Sequence, residues 1–190
     1  MPTAQSNTRS VSAARDEVLG MLKDDHKRAK KAFRDFESLD SDEESARLVE
    51  QTCGELTVHA MLEEELFYPA IRDAMRDGEL LEEAEVEHTS AKQLIEQLGS
   101  LTPAEERFSA TFTVLGEYVK HHIKEEEREI FPKLARAQVD WEGLSDAMSV
   151  RRSELMEQFV PEAAAEAGAS EGRRRSAKSN GERRTSTRDR

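Results

Sequence analysis

Residues 59–69 read HAMLEEELFYP and residues 122–132 read HIKEEEREIFP. In each stretch a glutamate follows the histidine by four positions, giving His59 with Glu63 and His122 with Glu126. An aromatic-proline pair, Tyr68-Pro69 or Phe131-Pro132, then closes the stretch ten residues after the histidine. Two further histidines stand upstream of these, His26 in DDHKRAKKAF and His88 in EVEHTSAKQLIEQL. The separation from 26 to 88 nearly equals that from 59 to 122, so the chain carries an internal repeat. The repeated element contains the residue types that bind metal.

Working outward, each histidine falls on an apolar stripe of helical period. Val18, Leu22, His26, Ala29 and Phe33 form the first stripe, and Leu48, Thr52, Leu56, His59, Glu63 and Leu66 the second. The third is Leu81, Ala84, His88, Ala91, Ile95 and Leu98; the fourth is Phe108, Thr111, Leu115, Tyr118, His122, Glu126 and Ile130. Ser41 with Glu44 predicts a capping box at the start of the second helix. Pro69 predicts a kink or local loosening, because proline removes a backbone donor. Asp77-Gly78 and Gly99 predict helix stops, and Thr102-Pro103-Ala104-Glu105 predicts the start of the fourth helix. Four helices joined by short connections pack as antiparallel neighbours. The fold class is therefore all-α, an up-down-up-down four-helix bundle of two hairpins related by a pseudo-twofold axis. Trp141 to Phe159 is a short fifth helix. Residues 1–12 read as a loose polar arm, 13–160 as the bundle, and 161–190 as a disordered Arg-rich tail.

Charge supports this division. The chain carries −12 overall, yet residues 171–190 hold eight Lys or Arg against three acids. An acidic body disfavours nucleic-acid binding by the folded part, since phosphates would be repelled. The basic tail permits tethering to nucleic acid, anionic lipid or an acidic partner, although such tails more often only solubilise. One cysteine, Cys53, excludes an internal disulfide framework and a multi-cysteine zinc site. Apolar runs fall short of a membrane span, and residues 1–17 lack a secretory signal's apolar core, so a cytoplasmic location is expected.

One inward histidine is ordinarily a hydrogen-bonded core residue. Four, one per helix, would bury several ionisable groups, each costing on the order of 1–3 kcal/mol if unpaired. Residues four apart share a helix face, which adds Glu63 and Glu126 to the cluster, and buried carboxylates need a counter-charge. A metal supplies it. The candidate metal ligands are His26, His59, Glu63, His88, His122 and Glu126. Nitrogen and oxygen donors without thiolate favour iron over zinc, with manganese open. Glu64 and Glu127 are candidate substitutes for their neighbours if the helix distorts near the proline. Glu55 is a candidate acceptor for an imidazole N–H, and His121 lies about 100° round the helix from His122.

These residues and their trailing FYP and IFP resemble the hemerythrin family, in particular its HHE cation-binding branch, over about residues 13–138. The resemblance implies a non-haem di-iron centre: two iron (Fe) ions bridged by Glu63 and Glu126 and by an oxo, hydroxo or water bridge, with the four histidines as terminal ligands. Two positions depart from the oxygen-carrying members. Lys92 stands where those carry a fifth histidine, and the fourth helix offers Glu126 four residues after its histidine where they have an aspartate at five. These departures point away from reversible oxygen carriage. They favour sensing or reacting with O2, NO or peroxide, or handling iron. Tyr118, one turn before His122, is a candidate cofactor-binding side chain. The residues also admit a second reading, a structural or interaction bundle whose histidines hold zinc or no metal.

Overall fold

In a computed structural model, residues 4–75 and 78–160 are described. The elements are α1 (Ala4–Phe36), α2 (Asp42–Leu62), the single turn α3 (Tyr68–Ile71), α4 (Glu79–Leu98), α5 (Glu106–Glu125) and α6 (Trp141–Phe159), and no strand occurs among the described residues. α1, α2, α4 and α5 form a ring in which α1 packs on α2 and α5, and α4 packs on α5 and α2. The four-helix bundle is the fold expected from the four stripes.

Local chemistry sets most boundaries. Ser41 caps α2 through its hydroxyl, which accepts from the Glu44 N–H at 3.4 Å. Gly99 closes α4 with its N–H on the Ile95 carbonyl. Three expectations are corrected. α1 begins at Ala4, so most of the stretch read as a loose arm is helical; no glycine or further proline interrupts residues 4–19, and one helix simply runs on. α5 begins at Glu106 and not at Pro103. Glu105 does reach back to the Thr102 N–H and hydroxyl at 2.8 and 2.9 Å, but its own backbone stays extended at φ −82, ψ 128. Finally, helical backbone after α3 ends at Ala74, and Gly78 caps α4, while Asp77 lies outside the described residues. The tail, residues 161–190, also lies outside them.

Pro69 and Pro132 act identically in the two halves. A proline ring inside an α-helix would clash with the carbonyl four residues back. The chain avoids this by widening into a π turn just before each proline, Glu63–Phe67 and Glu126–Ile130. The Tyr68 N–H reaches the Glu63 carbonyl and the Phe131 N–H reaches that of Glu126, a five-residue step. Each π turn begins at the glutamate that sequence spacing places in the cluster, and such bulges concentrate at functional sites.

The core has two apolar clusters. One contains Leu22, Leu62, Phe67, Leu81 and Ile130, together with Trp141, Met148 and Leu155 of α6. The other contains Ala29, Phe33, Leu98, Phe112, Leu115 and Ile123. The expected fifth helix, α6, docks on α1 and α2. Gly54 makes this possible, since a Cβ there would lie 2.5 Å from the Phe159 carbonyl oxygen.

Candidate metal centre

Between the two apolar clusters lies a buried polar belt. His26, His59, Glu63, His88, His122 and Glu126 are each at most 6% exposed, so all six expected ligands meet in one place. All four histidines turn Nε2 towards the carboxylates. His26 Nε2 lies 3.1 Å from Glu126 Oε2. His59 and His88 lie 3.2 and 3.3 Å from Glu63 Oε2. His122 stands between, 3.8 Å from Glu63 and 3.6 Å from Glu126. The donor atoms form two groups with spacing suited to a cation: His26, His59, Glu63 and Glu126, and then Glu63, His88 and His122. Glu63 belongs to both.

The outer nitrogens explain the inward ones. His26 Nδ1 meets Glu127 at 3.0 Å, His59 meets Asp25 at 3.4 Å, His88 meets Glu64 at 3.0 Å and His122 meets Glu87 at 2.9 Å. An Nδ1–H donated to a carboxylate leaves the Nε2 lone pair facing inward, the tautomer a metal ligand needs. Each carboxylate comes from a neighbouring helix and adjoins a ligand in sequence, so the four contacts run round the bundle and obey the pseudo-twofold symmetry. Glu64 and Glu127 thus meet the outer nitrogens of His88 and His26 and stand outside the inner cluster. Behind them stand cations: Lys92 on Glu64 at 2.6 Å, Lys30 on Glu127 at 3.2 Å and Arg152 on Asp25. Glu55 does not meet an imidazole; it pairs with Gln51 and Arg28. His121 is an exposed side chain between Glu87 and Glu125.

The tyrosine that reaches the belt is Tyr68, not Tyr118. Tyr68 is fully buried and its hydroxyl donates towards Glu126 Oε1 at 3.1 Å and Glu63 Oε2 at 3.4 Å. Tyr118 is 48% exposed and lines a cavity above the belt. A regular helical wheel puts Tyr118 one turn from His122. Tyr68 follows Glu63 by five residues and comes into line only through the π turn. The FYP motif held the right residue, and the lost backbone donor at Pro69 was the available signal.

Electrostatics divide the histidines. Burial drives His59 to its neutral form, with a pKa of about 4, against the opposing pull of Glu63. Burial also opposes charge on His88 and His122, but carboxylates prevail. Glu63 and Glu64 raise His88, while Glu126, Glu63 and Glu87 raise His122 well above the ordinary range. Their Nε2 atoms lie 3.2 Å apart. Two N–H groups cannot face each other at that distance, so at least one of the two nitrogens presents its lone pair. Burial likewise resists ionisation of Glu63, but His59, His122 and His88 keep its carboxyl well below the usual range.

The fit to a metal can be tested on polar satisfaction. His26 Nε2, His59 Nε2, Glu63 Oε1 and Glu126 Oε2 are buried without a hydrogen-bond partner. Orphaned polar atoms in a core are costly, and these four all belong to the group around Glu63 and Glu126. The ligands present fit a bound cation. Cys53 is no part of it: half-buried on α2, its thiol is pushed up to about 12 by burial.

Comparison with known proteins agrees with this geometry. The model of the hemerythrin HHE cation-binding domain matches residues 17–134. The chain belongs to that family. A hemerythrin HHE cation-binding domain-containing protein of Mycobacterium kansasii superposes with a TM-score of 0.58 at 23% identity, covering 75% of this chain and 93% of that one. An uncharacterised hemerythrin-like protein of Schizosaccharomyces pombe is 26% identical over 139 residues, 72% of this chain and 67% of that protein. A DNA nickase of Nostoc is 26% identical over 114 residues, which are 60% of this chain but only 32% of the nickase. No described helix is long and apolar enough to cross a membrane.

Proposed function

We propose that the belt holds two iron ions as a non-haem di-iron centre that senses or reacts with a small ligand, O2, NO or peroxide. The observation that carries this reading is the sharing of Glu63 between two donor groups, since a carboxylate with two oxygens can serve two cations at once. His26, His59 and Glu126 would complete one position, and His88 and His122 the other. Two iron ions would supply redox chemistry and open coordination at a site shielded from bulk water. Manganese shares the same donor preferences and is an outcome of the test.

The chain's own residues prepare the site. The four Nδ1–carboxylate contacts hold the rings in one tautomer and orientation. Tyr68 stays protonated, because burial and the charges of Glu126 and Glu63 raise its pKa well above the ordinary value. It therefore orients Glu63 and Glu126 as a hydrogen-bond donor. The cavity above the belt is lined by the four histidines and by Leu56, Ala91, Ile95, Val119 and Ile123. Such a lining admits a small, weakly polar molecule and discourages water. The Lys92 ammonium is held by Glu64 at the same cavity, occupying the place of a further imidazole; this supports reaction or sensing over reversible carriage.

The test is anaerobic reconstitution with ferrous iron, metal analysis, and exposure to oxygen, nitric oxide and peroxide in turn under spectroscopic observation. Two irons per chain and a spectrum that changes with at least one of the three are expected. Fewer than two metal ions per chain, or a site that prefers one zinc, would overturn the di-iron reading. Two irons inert to all three reagents would leave iron handling in place of ligand chemistry.

A further inference from the structure

The belt's surroundings nearly repeat across the pseudo-twofold axis, and the place where they fail to repeat is informative. His26 and His88 are treated alike. Each leans on the acid following a belt glutamate, Glu127 or Glu64, and each acid is held by a lysine one turn after the histidine, Lys30 or Lys92. His59 and His122 also begin alike, leaning on the acid that precedes the neighbouring histidine, Asp25 or Glu87. Beyond that the halves part. Glu87 faces His121, which is 60% exposed. Asp25 is 9% exposed and is gripped by both nitrogens of the Arg152 guanidinium, Nη1 to Oδ2 at 2.6 Å and Nη2 to Oδ1 at 2.7 Å.

We infer that Arg152, on α6 beyond the family-matched stretch, is a positioning residue that holds Asp25 against His59 and so secures one of the two metal positions. This rests on the metal-centre reading above. The oxygen that meets His59 Nδ1 is Oδ2, the same one held by Arg152. Arg28 also pairs with Asp25, but through Oδ1, from the same helix, and its side chain is 45% exposed and shared with Glu55. Arg28 alone would draw the carboxylate outward. A planar guanidinium fork fixes both oxygens at once, and α6 brings that fork from the opposite side. Without it the buried His59 Nδ1–H loses its acceptor, and the ring loses its tautomer and its aim. His88 and His122 lean through Nδ1 on Glu64 and Glu87 and not on Asp25, so the loss should fall on the first position. The fifth helix is thereby more than packing: it reaches one metal position through two side chains.

The experiment titrates the metal-free full chain anaerobically with cobalt(II), read by its visible bands, and with ferrous iron, for wild type, Arg152→Met, Arg152→Lys and Arg151→Met. Arg151 is the control, because among the described residues it pairs with Glu65 and Glu154 on the surface. Outer partners of ligands are typically worth tenfold to a hundredfold in metal affinity. Arg152→Met should weaken one of two equivalents by about tenfold or more and leave the other alone. Arg152→Lys should recover part of the loss, since it keeps the charge without the fork. Asp25→Asn should weaken the same equivalent, and combining it with Arg152→Met should add little further loss. Arg151→Met should titrate like wild type. Unchanged binding in Arg152→Met overturns the inference. So does equal weakening of both equivalents in step with a lower melting temperature of the metal-free protein, the mark of α6 merely coming loose. A wild-type chain that takes up fewer than two equivalents fails earlier, at the di-iron reading itself.

Discussion

Tyr68→Phe deletes one hydroxyl from the centre of the bundle while leaving the shape of the side chain intact. Because the ring stays, no cavity contribution enters, and the cost is one of hydrogen bonding alone. The O–H is forked between Glu126 Oε1 at 3.1 Å and Glu63 Oε2 at 3.4 Å, with the shorter contact carrying most of the interaction. Hydrogen bonds to charged groups contribute about 1.5–3 kcal/mol. In the metal-free protein the loss is felt in full, because Glu126 Oε1 then joins Glu126 Oε2 and Glu63 Oε1 as a buried oxygen without a donor. For a chain of this size each kcal/mol moves the melting temperature by about 2–4 °C, so a fall of about 3–12 °C is expected by scanning calorimetry. With metal bound, the carboxylates have another partner and the fall should be smaller, so metal should raise the variant's melting temperature by more than wild type's. Tyr118→Phe, on a half-exposed side chain, should stay within about 0.5 kcal/mol of wild type. If Tyr68→Phe melts with wild type, or Tyr118→Phe costs more, the assignment of the buried donor is wrong.

Other consequences are open to measurement. His88→Ala should reduce metal content from two ions towards one, whereas Glu63→Ala should lose both; equal stoichiometry in the two variants by elemental analysis would contradict the shared role of Glu63. The low pKa of His59 sets a pH dependence. Its folded pKa of about 4 lies below the unfolded value of 6.5, so the unfolded chain binds the extra proton and stability drains away as pH falls from about 6.5 to 4. That loss amounts to about 3 kcal/mol. The stability advantage of metal-free wild type over His59→Asn should therefore shrink by roughly this amount across that window in denaturant titrations, and a flat difference would refute it. Gly54→Ala should push α6 from α2, at a cost of about 1–3 kcal/mol. The single tryptophan, buried Trp141 at the start of α6, would report the change as a red-shifted emission.

The fold was legible because its signals are local and periodic. Four stripes, Ser41 with Glu44, and Gly99 needed only helical spacing and capping chemistry, and the short fifth helix expected from Trp141 to Phe159 matches α6 at both ends. The six belt residues were legible for the same reason, since His59 with Glu63 and His122 with Glu126 lie one regular turn apart. What failed was arithmetic that assumes a regular helix. Tyr68 lies five residues after Glu63, about 140° away at 100° per residue, and only the π turn before Pro69 brings it back. The outer carboxylates had a faint signal, an acid just before His26 and His88 and just after Glu63 and Glu126. Charge-rich helices make such neighbours commonplace, so the pattern acquires meaning only once helices are placed side by side. Arg152 left no signal, because its partner Asp25 is 127 residues away.

The division of the interior into two apolar clusters bears on how the molecule comes apart. Leu22, Leu62 and Ile130 belong to one and Phe33, Leu115 and Ile123 to the other, with ionisable side chains between them. Apolar contact is what usually makes a small domain unfold all at once, and here it is interrupted at the waist. The metal-free bundle should behave as two weakly coupled units, its calorimetric enthalpy exceeding the van't Hoff value. Two cations, held between them by side chains from all four helices, would join those units, and the two enthalpies should then agree. On that account the centre is also the molecule's clasp, converting two half-cores into one cooperative whole.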